Sequence, residues 1–293
     1  MTRALSAAGI ETAFVAACHA ELHALKPGNV HIHAAGHGME IAHFEKAAAA
    51  AAPHIADPAL AVGRRILNAT AASVAATGTN VNLGIVLLSA PLAKAAREIE
   101  TGMGLRRCLA FILSKLDEDD ADAAFAAIRL ASPAGLGEIE KGDVRQPNPR
   151  LTLIEAMHMA QDRDRIARAY VTAFEDIFDF ALPRLDEARL SAEREDLAVT
   201  SLHMSLLAEF PDSHIARKFG AGAAQDVRER ARELRHAWHP AVTVKSFKRL
   251  LEFDRELKDN GFNPGTTADF VVATLFTDNL SSRKRSGGGQ GSY

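Results

Sequence analysis

The residues of this chain that could do chemistry stand in four short polar stretches, each at the end of a predicted helix. The first is ELHALKPGNV, residues 21–30. Pro27 ends the helix, and Gly28 can adopt a left-handed turn. This turn explains how the Glu21 carboxylate and the Lys26 ammonium could be brought together. The stretch is therefore either an ordinary helix exit or one wall of an active site.

The same stretch continues into HIHAAGHGMEIAHF, where Glu40 opens the next predicted helix. Glu21 and Glu40 could simply be two solvated acids that flank a loop, which is the simpler interpretation. His31, His33 and His37 resemble a metal cluster, but a closed zinc site would favour cysteines or a rigid helical spacing. We therefore expect these histidines to be exposed to solvent or to contact phosphate.

The second stretch, TGTNVNLG, places two asparagines directly before a long apolar helix. Either Asn80 or Asn82 can cap that helix with its side chain. Because one cap is enough, the second amide favours contact with a ligand. A capping role and a binding role both stay open for this pair.

The third stretch is PDSHIARKFG, in which Asp212 can cap a helix. The first turns of that helix carry His214, Arg217 and Lys218, whose spacings of three and four put them on one face. A helix N-terminus with nearby cations suits a phosphate group. The alternative is an exposed charged face with no ligand.

The fourth stretch, NPGTTADFVVATLF, opens the last predicted helix with a proline at its first turn and Gly265 directly after it. The helix is apolar almost all round, which predicts burial. Asp269 lies one turn inside and needs a cap-like hydrogen bond, a cation or a metal as partner. The simpler alternative is an acid that only favours the helix dipole.

Helices must position all four stretches, because alanine and leucine dominate and alternating β-branched runs are scarce. We predict an all-α protein with a single compact domain of roughly 10–12 helices over residues 1–281, followed by a flexible tail over 282–293. The segment 151–180 can be broken near QDRDR. The predicted helices cover residues 4–25, 39–52, 58–77, 82–99, 103–115, 118–131, 151–180, 193–209, 213–237, 241–259 and 265–280.

The composition excludes several classes of function. A formal net charge of -3 gives no broad positive field for nucleic acid or for an anionic membrane. Two cysteines are too few for a disulfide framework, and no apolar run is long enough to span a bilayer. No Walker-type loop and no nucleophile elbow are present. We therefore expect a cytoplasmic protein, with a homodimer as a weaker expectation.

Taken in order, the stretches ELHALKPGNV, GHGMEIAHF, TGTNVNLGIVLLSAPLAKA, DSHIARKFG and NPGTTADFVVATLF resemble the triphosphoribosyl-dephospho-CoA synthase family. The resemblance implies an all-helical, Mg²⁺-dependent enzyme that releases adenine from ATP. The ribose anomeric carbon passes to an acceptor hydroxyl, and the acceptor in the family is dephospho-CoA. The chain looks more like the variant found in archaea and some methylotrophic bacteria.

Two departures from the pattern of the citrate-lyase-associated enzymes concern the acceptor. This chain has Gly38-Met39-Glu40 where those enzymes tend to show Asp-Met-Asp, and Arg217-Lys218-Phe219-Gly220 where they tend to show His-Arg-Gly-Gly. One alternative is therefore a related transferase that uses another acceptor in C1-carrier cofactor biosynthesis. The other alternative is a helical nucleotide-binding protein without catalysis.

The resemblance also assigns expected roles to residues of the four stretches. A glycosyl transfer from ATP needs negative charge near the sugar, carboxylates for Mg²⁺ and cations for the phosphates. Asp143, in the long loop 132–150, and Asp164 are second-tier acids. The expected catalytic residues are Glu21, Glu40 and Asp269, and the expected Mg²⁺ ligands are Glu40, Asp212 and Asp269. The expected ATP and phosphate contacts are Lys26, Gly28, Asn29, Asn80, Asn82, His214, Arg217, Lys218 and Gly265.

Overall fold

The computed structural model describes residues 5–33, 41–98, 103–131 and 151–286, and every regular element within these ranges is a helix. The predicted all-α class is confirmed. The chain forms two compact units, each described by itself below. Unit 1 consists of Met1–Ala17, Phe44–Phe174 and Leu275–Tyr293, and unit 2 of Cys18–His43 and Glu175–Thr274. The expectation of one domain over residues 1–281 stays a prediction.

Unit 1 contains most of the helices in the N-terminal half of the chain. It holds the beginning of α1 (Ala7–His23), then α2 (Ile41–Ala56), α3 (Val62–Thr77), α4 (Leu83–Arg97), α5 (Leu105–Leu113), α6 (Glu118–Ala131), α7 (Leu153–Ala160), α8 (Arg165–Val171) and the last part of α15 (Gly265–Ser286). Most of α4 is buried, as its apolar sequence predicts. Near its centre, the Tyr170 hydroxyl donates to the Leu87 carbonyl at 2.7 Å.

Unit 2 holds the end of α1, a π-helix (Asp176–Ala181), α9 (Leu182–Ser191), α10 (Glu195–Glu209), α11 (Ser213–Phe219), α12 (Ala221–Glu233), α13 (Arg235–Trp238), α14 (Val244–Asp259) and the first part of α15. Its core is a continuous apolar cluster from these helices, with Met204, Trp238, Phe253 and Leu257 among its members. Burial of such side chains is the main favourable term in folding.

Two predicted helices are divided in the structure. The segment 151–180 breaks at QDRDR, where Asp164 accepts hydrogen bonds from two backbone N–H groups and begins α8. The segment 213–237 breaks first at Gly220, whose φ of 93° ends α11, and again at Leu234. The spacing of apolar residues continues across such short breaks. It therefore predicts one long helix where the backbone forms several shorter ones.

Two other predictions differ from the structure in smaller ways. The helix predicted from residue 58 begins at Val62 as α3, and the Asp57 carboxylate accepts from the Ala59 N–H in the preceding turn. Helix α9 was not predicted at all. It buries only Leu185 and Ala188, which is too few apolar positions to give a clear periodicity.

Candidate active site

The turn after α1 brings the polar residues of the first stretch together. Gly28 has a φ of 84°, and the Asn29 N–H donates to the Lys26 carbonyl at 2.9 Å. A Cβ at position 28 would lie 2.7 Å from Pro264 Cδ and 3.0 Å from Leu257 Cδ1. Position 28 therefore needs glycine both for its backbone conformation and for close packing against the segment that precedes α15.

Lys26 is completely buried at the centre of this turn, and Glu21 is 4% exposed. The ammonium contacts Glu21 Oε1 and donates to Asn29 Oδ1 at 3.2 Å and to the Val30 carbonyl at 2.5 Å. All three protons of the ammonium are thus engaged. Burial raises the pKa of Glu21 and lowers the pKa of Lys26, and the contact between the two opposes both shifts.

Asp254, a residue that the sequence analysis did not single out, anchors the same turn to α14. Its Oδ1 accepts from the Gly28 N–H at 2.8 Å and lies 3.3 Å from His31 Nε2, while its Oδ2 pairs with Lys258 Nζ at 3.0 Å. Burial opposes ionisation of Asp254, but the hydrogen bonds from His31, Gly28 and Lys258 together lower its pKa. Contacts with Glu21 on α1 and with Asp254 on α14 therefore hold the turn in place.

His31 lies between the turn and α14. Its Nδ1 accepts from the His33 N–H at 3.2 Å, and its Nε2 lies 3.3 Å from both Asp254 Oδ1 and Lys258 Nζ. Burial lowers the pKa of His31, although hydrogen bonding to Asp254 opposes that shift. A neutral, buried His31 is a structural support of the turn, whereas the sequence predicted a solvent-exposed or phosphate-contacting histidine.

A second histidine near the turn, His203 on α10, was also missed from the sequence. It is completely buried, and burial lowers its pKa to about 3, with the charge of Lys26 as the next cause. The Pro27 carbonyl favours a protonated ring, but neither ring nitrogen meets the geometry of a hydrogen bond. A neutral imidazole thus packs beside the Lys26 ammonium without adding charge.

The opening of α15 is joined to the same turn. Asn29 Nδ2 donates to Asn263 Oδ1 at 2.7 Å, which links the first and the fourth polar stretches through their amides. Gly265 lies beside His214, since a Cβ at position 265 would be 3.5 Å from the His214 Cγ. The third stretch is thus also in contact with the opening of α15.

Asp212 holds the beginnings of α11 and α15 together. Its Oδ1 accepts from the His214 and Ile215 N–H groups at 2.8 and 3.1 Å, which confirms the predicted cap. Its Oδ2 accepts from the N–H and the hydroxyl of Thr267 at 2.7 and 2.8 Å. These four bonds use all the lone pairs of the carboxylate, so Asp212 in this arrangement has none left for Mg²⁺.

The cations of the third stretch lie on α11. His214 and Arg217 are partly buried, and Lys218 is exposed, with its Nζ 5.2 Å from the centre of the Phe219 ring. Lys258 adds a further ammonium beside the turn, one that the sequence analysis did not include. The described part of unit 2 therefore combines a buried, fixed turn with several less buried cations.

Asp269 is partly buried one turn into α15. Burial lowers the pKa of Lys26, and the charge of Asp269 is one of the smaller effects that oppose this shift. No group of three or more His, Cys, Asp or Glu side chains in the described ranges could hold a metal ion by itself. Mg²⁺ often has only one or two carboxylate ligands and takes the others from substrate phosphates and water. Binding of Mg²⁺ by Asp269 stays a prediction.

Two predicted residues belong to unit 1, and others lie outside the described residues. Asn80 and Asn82 belong to unit 1, where Asn80 Oδ1 accepts from the Leu83 N–H at 3.1 Å and Asn82 Nδ2 donates to Ser73 Oγ at 3.0 Å. Both amides thus have local structural partners. Glu40 and Asp143 lie outside the described residues, as does His37.

Comparisons with known proteins identify the family of the chain. Residues 7–287 match the CitG family, described as ATP:dephospho-CoA triphosphoribosyl transferase. A crystal structure of a provisionally assigned triphosphoribosyl-dephospho-CoA synthase from Archaeoglobus fulgidus is similar, with 26% sequence identity and a TM-score of 0.62. The similarity covers 79% of this chain and 95% of that one. No curated protein matches the sequence.

The family match spans nearly the whole described chain, and the similar crystal structure shares the fold. The resemblance expected from the ordered polar stretches is confirmed, and so is a transferase activity like that of triphosphoribosyl-dephospho-CoA synthase. Three of those stretches meet in unit 2, around Lys26, Asp212 and the opening of α15. The chain belongs to the ATP:dephospho-CoA triphosphoribosyl transferase family.

Proposed function

We propose that unit 2 binds Mg-ATP beside the turn of residues 26–31 and the opening of α15, and transfers the triphosphoribosyl group to dephospho-CoA. The observation that carries this proposal is the buried Lys26, fixed by Glu21, Asn29 and the Val30 carbonyl. Burying an ammonium is costly, and a surface turn does not require it. Glu21 balances the charge of Lys26, so this buried pair fixes the shape of the turn, and the less buried cations beside it favour a polyanionic ligand at this end of the unit.

The proposed transfer exchanges one bond at the ribose anomeric carbon for another. The bond to adenine breaks, and adenine leaves with the bonding electrons and takes up a proton. The acceptor hydroxyl oxygen forms a bond to the same carbon and loses its proton to a base. Because positive charge develops on the sugar, a nearby carboxylate stabilises the transition state. We assign that electrostatic role to Asp269.

The residues of the cluster then divide into two groups. Lys26, Glu21 and Asn29 are positioning residues, since their polar atoms bind one another and the Asn263 amide. The less buried cations Arg217, Lys218 and Lys258 are the proposed phosphate contacts. Asp269 would also hold Mg²⁺, which when bound neutralises phosphate charge.

The proposal is tested by incubating the protein with Mg-ATP and dephospho-CoA. We expect free adenine by chromatography and a product whose mass is that of dephospho-CoA plus the triphosphoribosyl group. Asp269→Asn should lower turnover by at least about 100-fold, because an electrostatic partner of the transition state is lost. The far-ultraviolet circular dichroism should stay unchanged.

The matched control is Asp226→Asn, which changes an exposed acid on α12 and should leave turnover unchanged. Full turnover in Asp269→Asn would show that its role is structural. Absence of adenine in the wild-type reaction would contradict dephospho-CoA as the acceptor. Adenine released with a different acceptor would then favour the related transferase.

A further inference from the structure

A cleft lies in unit 2 among α9, α10, α12 and α13. Its volume is about 90 Å³, and Ser205, Arg232 and Trp238 are among its lining residues. Sites for drug-sized molecules have volumes of roughly 300–1,000 Å³, so this cleft suits only a small ligand or a single small group of a larger one. Ser205 and Trp238 are buried, so the cleft has a floor rather than being a flat charged surface.

Three guanidinium groups from three helices converge on this cleft, and each is held in place. Arg232 Nε donates to the Ala208 carbonyl at 2.7 Å. The Arg235 guanidinium lies 5.6 Å from the centre of the Trp238 ring, and the Arg184 guanidinium lies 5.5 Å from the centre of the Phe180 ring. Positions fixed before a ligand arrives reduce the entropy that binding costs.

The charges of the lining residues favour an anion. Arg184, Arg232 and Arg235 are cations, and Glu209 is the single acid among the lining residues of the cleft. The Glu187 and Glu229 partners of two of these arginines are partly exposed, and exposed ion pairs are weak. An incoming anion can therefore replace those carboxylates at little cost.

The cleft and the candidate active site lie on different faces of α10. His203 is the residue of this helix that packs near Lys26 and Pro27, whereas Ser205 lines the cleft. Two residues along an α-helix correspond to a rotation of about 200°. The cleft is therefore distinct from the turn that we assign to Mg-ATP.

We propose that this cleft binds a small, dianionic, phosphate-bearing molecule as a second ligand. Guanidinium groups offer planar pairs of N–H donors that match the oxygens of a phosphate, and three of them from different directions suit a tetrahedral group. The net charge of the four ionisable lining residues is two positive charges, which a phosphate dianion balances. The Ser205 hydroxyl on the floor supplies a neutral hydrogen-bonding group.

The test is calorimetric titration of the protein with inorganic pyrophosphate in the presence of EDTA, so that no Mg²⁺ complex forms. We expect wild-type protein to bind the ion. Arg235→Ala should weaken binding by about tenfold, because a charged hydrogen bond is lost. Glu209→Gln should strengthen binding severalfold, because it removes the acid of the cleft.

The matched control is Arg249→Ala on α14, an arginine whose side chain is 56% exposed and which does not line the cleft. It should bind pyrophosphate as the wild type does. Equal weakening in Arg249→Ala and Arg235→Ala would overturn the proposal, because the effect would then come from overall charge. Absence of binding to the wild type, or no response to Glu209→Gln, would overturn it as well. Because Glu209→Gln changes no arginine, it still tests the proposal if an arginine variant fails to fold.

Discussion

Lys26 and Glu21 form a buried ion pair, and each depends on the other for its counter-charge. Replacing one partner leaves the other ionised without its counter-charge inside the protein. Glu21→Gln should therefore lower the free energy of unfolding at pH 7 by about 3 kcal/mol, as measured in urea. Glu252→Gln, which changes a partly exposed acid paired with Arg249, is the control and should cost less than about 1 kcal/mol.

The double variant Glu21→Leu, Lys26→Met gives a second measure of the same pair. Because both charges are absent, its loss of stability should be smaller than the sum of the two single losses. Additive losses would mean that the two side chains are not energetically coupled. The stability that the double variant still loses measures the cost of leaving the Asn29 side chain and the Val30 carbonyl without their donor, the Lys26 ammonium.

Asp254 makes stability depend on pH on the acid side. Its pKa in the folded protein is lowered, so it adds stability above the pKa of an unfolded aspartate, about 3.9, and this part is lost as pH falls below that value. The difference in unfolding free energy between wild type and Asp254→Asn should therefore shrink between pH 7 and pH 3. A difference that is constant over this range would show that the Asp254 charge has no special stabilisation.

Helix packing in unit 1 depends on one small residue, at the contact between α3 and α6. A Cβ on Gly63 would lie 2.4 Å from the Asp120 carbonyl oxygen, and the Gly63 N–H donates to Asp120 Oδ1 at 2.7 Å. Gly63→Ala should cost about 3 kcal/mol or more, because the two helices must move apart. Gly104→Ala, with nothing within 4 Å of its new Cβ, should change stability by less than about 0.5 kcal/mol. Equal thermal midpoints for the two variants would contradict this packing.

The sequence predicted elements better than it predicted their ends and their contacts. Long apolar helices such as α4 and α6 were located closely, because burial imposes their composition. Short helices such as α11 depend on a cap or on a single glycine, which periodicity does not detect. The candidate site was predicted only in part for a related reason, since some of its residues are recognised only by their tertiary contacts.

Four polar stretches were predicted to share a site, and the structure joins three of them in unit 2. Asp254 and Lys258 were missed because an acid and a lysine four residues apart on an amphipathic helix look like an exposed ion pair. Only the tertiary contact of Asp254 with Gly28 reveals its role. His203 was missed because it stands in an apolar run without a polar neighbour that would mark it.

For the whole molecule, the C-terminal part of α15 completes unit 1. Phe276 packs edge-to-face on Phe14 at 5.8 Å, and Asn279 Nδ2 donates to the Ala13 carbonyl at 3.1 Å. A chain that ends at Thr274 should therefore lose the unfolding transition of unit 1 and keep that of unit 2, which is complete at Thr274. A chain that ends at Ser286, which removes only part of the predicted tail, should unfold like the full chain. An unfolding transition of full amplitude in the chain that ends at Thr274 would contradict the division into units. Among the helices that the structure describes, none combines the length and apolar character that crossing a bilayer requires.

The division of the chain also has a consequence for its synthesis. Every residue of unit 2 has been made once the ribosome reaches Thr274, whereas unit 1 still needs the segment that begins at Leu275. Unit 2, which carries the candidate active site, can therefore finish its core while unit 1 is still incomplete. Met1–Ala17, which is translated before unit 2, can complete its packing only after the segment that follows unit 2 has been made.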